Sequence, residues 1–255
     1  MASVKDHYDH HLAPIYTWMR GGAATPRRQF AEFLRAHSLA PSRPGATALD
    51  LGAGSGFQTL SLAEAGYTVT AIDLSETLLA ELARDANATD LTERIRCIFG
   101  DMCDLSRHTA QRAPELIVCA GDTLTHLASL DQVARLLSDS AAALAPGGHL
   151  ILSFRDYSIA RTGPDRFIPV RSDAHRIFTC FLEFGPTHLT VHDLLHTRDS
   201  SASDWSMTVS TFEKIRIAPT WLRAQLAAAG LTLIHDELTA GLATVIARRP
   251  SPLGA

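Results

Sequence analysis

Near residue 50 the chain carries Ala48-Leu49-Asp50-Leu51-Gly52-Ala53-Gly54-Ser55-Gly56, a short apolar run that breaks into alternating glycines. A helical pattern begins at about Gly56 and runs to Ala65. Glycines between a strand and a helix let a ligand approach the backbone closely, and the helix-start N–H groups then point at it. The next apolar run, YTVTAIDLS, ends at Asp73. An acid at the end of a second strand accepts hydrogen bonds from both hydroxyls of a ribose. Turn and acid together describe a nucleoside-bearing ligand lying across the carboxyl ends of parallel strands.

The surrounding texture supports that topology. Strand-like IRCIFGD, ELIVCAG and HLILSF alternate with helical stretches at Glu76 to about Asn87 and about Leu130 to Leu144. Such alternation means βαβ units and a parallel sheet covered by helices on both faces. Before it, Asp6 to Arg20 has Leu12, Ile15, Tyr16 and Met19 at helical spacing. Gly21-Gly22 stops that helix, and Pro26 opens another through about His37. After Phe154 the β-rich segments 175–184, 187–197 and 206–217 predict an antiparallel meander inserted into the α/β unit. A helix from Pro219 and two strands close the chain. The expected organisation is therefore a helical N-terminal lid at 1–45, a core at 46–155 and 218–250, a β cap at 156–217 and a tail at 251–255.

Composition narrows the function. Lys+Arg 23 against Asp+Glu 27 gives a net charge of −4, so no basic excess is present to hold a polyanion, and a nucleic-acid substrate is disfavoured. No apolar run is long enough to span a membrane, and the polar N-terminus lacks a signal-peptide core. Cys97, Cys103, Cys119 and Cys180 form no CxxC pair, which reads as reduced thiols in a cytoplasmic protein. The oligomeric state stays open, a homodimer included.

A dinucleotide fingerprint is GxGxxG, whereas this turn reads GxGxG with Asp50 just ahead of it. That spacing disfavours an NAD-dependent oxidoreductase. The stretch LDLGAGSG at 49–56 instead resembles the first motif of the class I S-adenosylmethionine (SAM)-dependent methyltransferases. Asp73 in AIDLS and Gly100-Asp101-Met102 match their second- and third-strand motifs. The resemblance covers roughly residues 46–155 and the closing helix and strands. It implies a doubly wound, Rossmann-like α/β fold with a seven-stranded sheet, parallel but for one antiparallel strand.

It also implies roles, with SAM as cofactor and S-adenosylhomocysteine as product. Gly52, Ala53, Gly54 and Gly56 line the methionine part, and Asp50 helps orient that end. Asp73 takes the ribose hydroxyls and Leu74 packs on the adenine. Asp101 accepts from the adenine amino group, Met102 flanks the ring, and Cys119 and Ala120 back the site. The loop Ala120-Gly121-Asp122-Thr123-Leu124-Thr125-His126-Leu127 lacks the Asn/Asp-Pro-Pro-aromatic motif of base-modifying amino-methyltransferases and looks like that of small-molecule enzymes.

Two readings stay open for His126: contact with the substrate as a general base, or packing under the cofactor. Tyr16 is a second catalytic candidate. Tyr16, His126, Arg155, Tyr157 and His175 are the candidate acceptor contacts, an arginine there being suited to a carboxylate. Phe178, Phe181, Phe184 and Trp205 are expected to enclose a compact acceptor. His192 and His196 form an i, i+4 pair, but on a strand they stand roughly 13 Å apart at about 3.3 Å per residue, so no metal is expected. The function expected is methyl transfer to an N or O nucleophile of a small molecule. The rivals are a macromolecular (protein or RNA) methyltransferase and a SAM-binding protein with other chemistry.

Overall fold

A computed structural model of the chain describes residues 4–109, 112–199 and 204–251. Nearly all of the expected tail lies outside them. Two sheets organise the molecule. The larger takes strands β1 (Thr47–Leu51), β2 (Thr68–Asp73), β3 (Ile95–Phe99), β4 (Leu116–Cys119), β5 (His149–Arg155), β10 (Thr232–Thr239) and β11 (Leu242–Arg248). Their order is β10-β11-β5-β4-β1-β2-β3, with β11 antiparallel to both neighbours and the remaining pairs parallel. Order reverses between β1 and β4, and a crevice opens there at the carboxyl ends of the strands. All four residues of β4 are buried, as a central strand covered on both faces requires.

Helices α4 (Phe57–Glu64), α5 (Glu76–Ala88), α7 (Leu130–Ala143) and α8 (Pro219–Ala228) cover this sheet. Two of them start on serine caps: Ser75 Oγ accepts from the Leu78 N–H, and Ser129 Oγ accepts from the Gln132 N–H at 3.2 Å. Gln132 reciprocates through Oε1 to the Ala128 N–H, so two orphan donors are met at once. One core layer joins Leu136, Leu137, Leu150, Leu152 and Leu222, and a second joins Leu34, Leu62, Val69 and Ile151 on the other face.

The second sheet is antiparallel, β6-β7-β8-β9, built from β6 (Phe167–Ser172), β7 (Arg176–Phe184), β8 (His188–Thr197) and β9 (Ser206–Ile215) between β5 and α8. Strand β6 has no strand pattern of its own in the sequence. Pro169 and a register shift between Pro169 and Arg171 interrupt its pattern, and Pro is tolerated only at such edges. Along β8, Leu189, Val191, Asp193 and Leu195 are buried, while His192 and His196 share the other face.

The N-terminal helix expected over 6–20 is broken. Residues Val4–His7 form α1, Tyr8–Leu12 a π turn, Ala13–Ile15 a 3-10 turn and Tyr16–Met19 α2. Pro14 has no N–H to give to the preceding turn, and the Ala13 N–H reaches back to the Tyr8 carbonyl instead. Helix α3 (Ala24–Ala36) follows, and the single turn Leu105–His108 is α6. The broken segment is tied to both sheets. Ser75 Oγ donates to Asp9 at 2.7 Å, Thr17 Oγ1 donates to Glu81, and Trp18 Nε1 donates to Asp173 at 2.6 Å. His7 is buried against the second sheet, stacked on Phe212, 2.7 Å from Ser210 Oγ and 3.2 Å from Asp193.

Candidate functional site

Two adjoining cavities open at the crevice. The first, about 240 Å³, lies over the carboxyl ends of β1, β2 and β3, and Gly52, Gly54, Asp73, Leu74, Asp101 and Met102 line it. Asp73 Oδ2 accepts from the Gly54 N–H and Oδ1 from the Ser75 N–H, each at 2.8 Å. Burial raises its pKa, and those N–H groups oppose the rise. Leu74 is 41% exposed, an apolar face turned to the cavity. Asp101 Oδ1 accepts from the Cys103 N–H at 2.8 Å. A Cβ built on Gly54, whose φ is +55°, would stand 3.7 Å from the Tyr16 ring and fill the space between them. A cradle without a side chain, beside a carboxylate and an apolar shelf, fits a nucleoside joined to an amino-acid chain.

Not every residue expected at this ligand lines the cavity. Gly56 adopts φ +86° where the turn enters α4, and a Cβ there would come within 2.2 Å of Leu82. Its glycine serves helix packing. Ala53 is buried toward the same helix. Asp50 is buried behind the turn and accepts from Thr59 Oγ1 at 2.6 Å, and burial pushes its carboxyl up to about 7. Its bond ties the end of β1 to α4, the helix that leaves the turn. Cys119 is buried in the core, and Ala120 lines a separate cavity on the other side of the strand end.

The second cavity, about 360 Å³, lies between the strand ends and the inner face of the antiparallel sheet. Tyr8, Tyr16 and Gly121 line both cavities, so the two ligand spaces meet there. Gly121 and Asp122 turn the chain with φ of +74° and +78°, a conformation aspartate tolerates better than most residues. A 3-10 turn, Thr123–His126, follows in place of an immediate α-helix. His126 thereby faces the N-terminal segment, its Nε2 3.1 Å from Tyr8 Oη. Burial, with Lys214 and His7 nearby, holds its imidazole well below the ordinary value. Burial raises the Tyr8 phenol.

Asp122 is buried and engaged on both oxygens. Oδ1 accepts from the Arg155 N–H at 2.9 Å, and Oδ2 takes Lys214 and, at 3.4 Å, the Tyr157 hydroxyl. Burial alone would lower the Lys214 pKa, but Asp122 beside it outweighs this and keeps the ammonium charged. Burial pushes the Tyr157 phenol up to about 12. Lys214 is a site residue that sequence reasoning passed over. Lys214 had a signal: it shares strand parity with buried Phe212, an unusual place for a lysine. Tyr8 is an aromatic of the expected lid, and the π turn at Tyr8–Leu12 sets it beside His126.

Among the other expected acceptor contacts, Arg155 and Tyr157 line the second cavity with Phe178. His175 does not. It is exposed in the β6–β7 turn, where its N–H bonds Asp173. Phe181 lies on the outer face of β7 against Phe167 and His192, and Trp205 is exposed under Arg198. The one-residue alternation of a strand puts Phe178, Cys180 and Leu182 inside instead. Among the described residues, no group of three or more His, Cys, Asp or Glu is placed to hold a metal, and no helix is long and apolar enough to cross a membrane.

Comparison with known proteins agrees with this geometry. Residues 48–148 match a methyltransferase domain family. A glycine/sarcosine N-methyltransferase of Aphanothece halophytica is 32% identical over 111 residues, 44% of this chain and 41% of that protein. A cypemycin N-terminal methyltransferase of a Streptomyces species is 31% identical over 162 residues, 57% of this chain and 63% of the other. The chain thus spans less than half the length of the first of these relatives. The CcbJ methyltransferase of Streptomyces caelestis superposes with a TM-score of 0.79 at 17% identity, over 97% of this chain and 99% of that one, and shares the fold. Residues 48–148, with the glycine turn and Asp73 among them, thus form a methyltransferase domain, in a fold shared with the CcbJ methyltransferase.

Proposed function

We propose that the protein transfers a methyl group from SAM to the amine of a small acceptor. The supporting observation is the junction of two cavities at Tyr8, Tyr16 and Gly121, one with the lining of a SAM site and the other roofed by the antiparallel sheet. When bound, SAM supplies a methyl on a sulfonium, which an aligned nucleophile displaces in line. In this reading Asp73 holds the ribose, Leu74 and Met102 flank the adenine, and the Gly52–Gly54 backbone faces the amino-acid end. The N-terminal segment is a lid over both cavities, and residues 156–217 are the acceptor cap. An amine is favoured over a hydroxyl because one matched relative is named a glycine/sarcosine N-methyltransferase and the other an N-terminal methyltransferase.

Alignment and exclusion of water do most of the work in such a displacement. An imidazole held well below its ordinary pKa is a poor terminal base at pH 7. His126 is therefore assigned to orienting the Tyr8 hydroxyl, and the amine reacts from its unprotonated fraction. Incubation with methyl-labelled SAM and separate pools of small amines, protein and RNA tests the reading. Label recovered in a small amine supports it. Label in protein or RNA overturns the small-acceptor assignment, and S-adenosylhomocysteine binding without transfer to any pool overturns the enzymatic one.

A further inference from the structure

The acceptor cavity has an unbalanced charge. Its two carboxylates are engaged by the protein: Asp122 by Lys214, and buried Asp193 by the Cys180 thiol at 2.9 Å and by His7 at 3.2 Å. Three arginines that line the same cavity, Arg20, Arg155 and Arg161, have no acidic partner among the described residues. They come from three separate segments. Arg20 ends α2 one helical turn beyond Tyr16. Arg155 is the last residue of β5, held by its backbone N–H on Asp122. Arg161 lies in the connection from β5 to β6. Arg20 and Arg155 also border the cavity on the other side of the strand end, so they mark a mouth. Guanidinium groups lining one end of a partly enclosed cleft focus a positive potential and match the planar oxygens of a carboxylate or phosphate.

Resting on the amine reading above, we infer that the acceptor carries an anionic group, a carboxylate or a phosphate, held by Arg20, Arg155 and Arg161 while its amine meets Tyr8 and Tyr16. The spacing is short. Arg20 follows Tyr16 by a single turn, so charge and nucleophile belong to one compact molecule.

Matched acceptor pairs test this: ethanolamine against phosphoethanolamine, 3-aminopropanol against β-alanine, and glucosamine against glucosamine 6-phosphate. Each is measured for methyl transfer from labelled SAM and for calorimetric binding to the S-adenosylhomocysteine complex. The anionic member of at least one pair is expected to exceed its neutral partner by roughly tenfold or more, since charge-assisted hydrogen bonds are the strong ones. That preference should shrink as salt rises. Whether phosphate or carboxylate pairs respond identifies the group. Arg20→Gln, Arg155→Gln and Arg161→Gln replace side chains that hold no acidic partner among the described residues. Each should raise KM or Kd for the anionic member several-fold, with a clearly smaller change for its neutral partner and for S-adenosylhomocysteine affinity. Equal binding of both members in all pairs overturns the inference, as does equal loss for both in the variants. If no pair is methylated but the anionic members still bind preferentially, the charge assignment stands and the amine-transfer reading falls.

Discussion

Asp73 is the residue whose single change says most about the first cavity. Its carboxylate accepts two backbone N–H groups and still borders the ligand space. Asp73→Asn keeps the shape and removes the charge. Hydrogen bonds to charged groups contribute about 1.5–3 kcal/mol, so S-adenosylhomocysteine affinity should fall roughly 10- to 100-fold. Titration calorimetry checks this, and wild-type affinity in the variant would contradict the ribose assignment. His126 offers a test through pH. Folded, its pKa lies well below 6.5, while the unfolded chain takes the proton near that value. The unfolded state therefore binds more protons below about pH 6.5, and the stability this group contributes, full above that pH, is lost as pH falls toward its folded value. Asp50 works in the opposite direction. Its raised carboxyl makes stability fall as pH climbs from about 4 through about 7. Urea unfolding of wild type, His126→Asn and Asp50→Asn from pH 5 to 8 separates the two. The His126 variant should lose the acid-side decline, and the Asp50 variant the neutral-side decline. Superimposable pH profiles would show that neither group titrates as its surroundings dictate.

At the level of elements, the glycine turn divides its labour. Gly54 keeps the cradle open, and Gly56 lets α4 pack against Leu82 of α5. Gly56→Ala forces a side chain into a positive-φ position and to within 2.2 Å of the Leu82 side chain, so a loss of about 1–3 kcal/mol in unfolding free energy is expected. Gly56→Ala with Leu82→Ala should cost less than the sum of the two single changes, because the second makes room for the first. Strict additivity in chemical denaturation would place the cost elsewhere. Most of these elements were legible from sequence. The burial alternation of β8 and the serine caps are local signals. Strand β6, split by Pro169, was not legible, because its pairing rests on β7 rather than on a pattern of its own.

At the scale of the whole molecule, the N-terminal segment bridges core and cap: it touches the core through Asp9 and Thr17 and the second sheet through His7 and Trp18. Tyr8 and Tyr16 border both cavities, so one movement of this segment changes access to both. Phe212 lies outside the first cavity, yet His7 stacks on it at 4.0 Å. Phe212→Leu should therefore speed the release of S-adenosylhomocysteine several-fold by loosening the segment. Stopped-flow displacement measures that rate. A release rate equal to wild type would mean that the segment does not govern exit.

The βαβ core, the glycine turn and the acid of the second strand are written in local sequence, because each depends on neighbours within one short unit. Local sequence also set the strand parity that turns Asp193 inward. Only tertiary structure decided which of the expected residues touch a ligand space. Gly56 serves the packing of α4 on α5, Asp50 bonds Thr59 of α4 behind the turn, and His175 stays on the surface. Lys214 meets Asp122, and Tyr8 meets His126, across stretches of chain far too long for any local pattern to connect. The physical reason is that periodicity reports which side of an element is buried. What a buried polar group bonds to depends on how separate elements pack, since each such group must find a partner wherever the fold provides one.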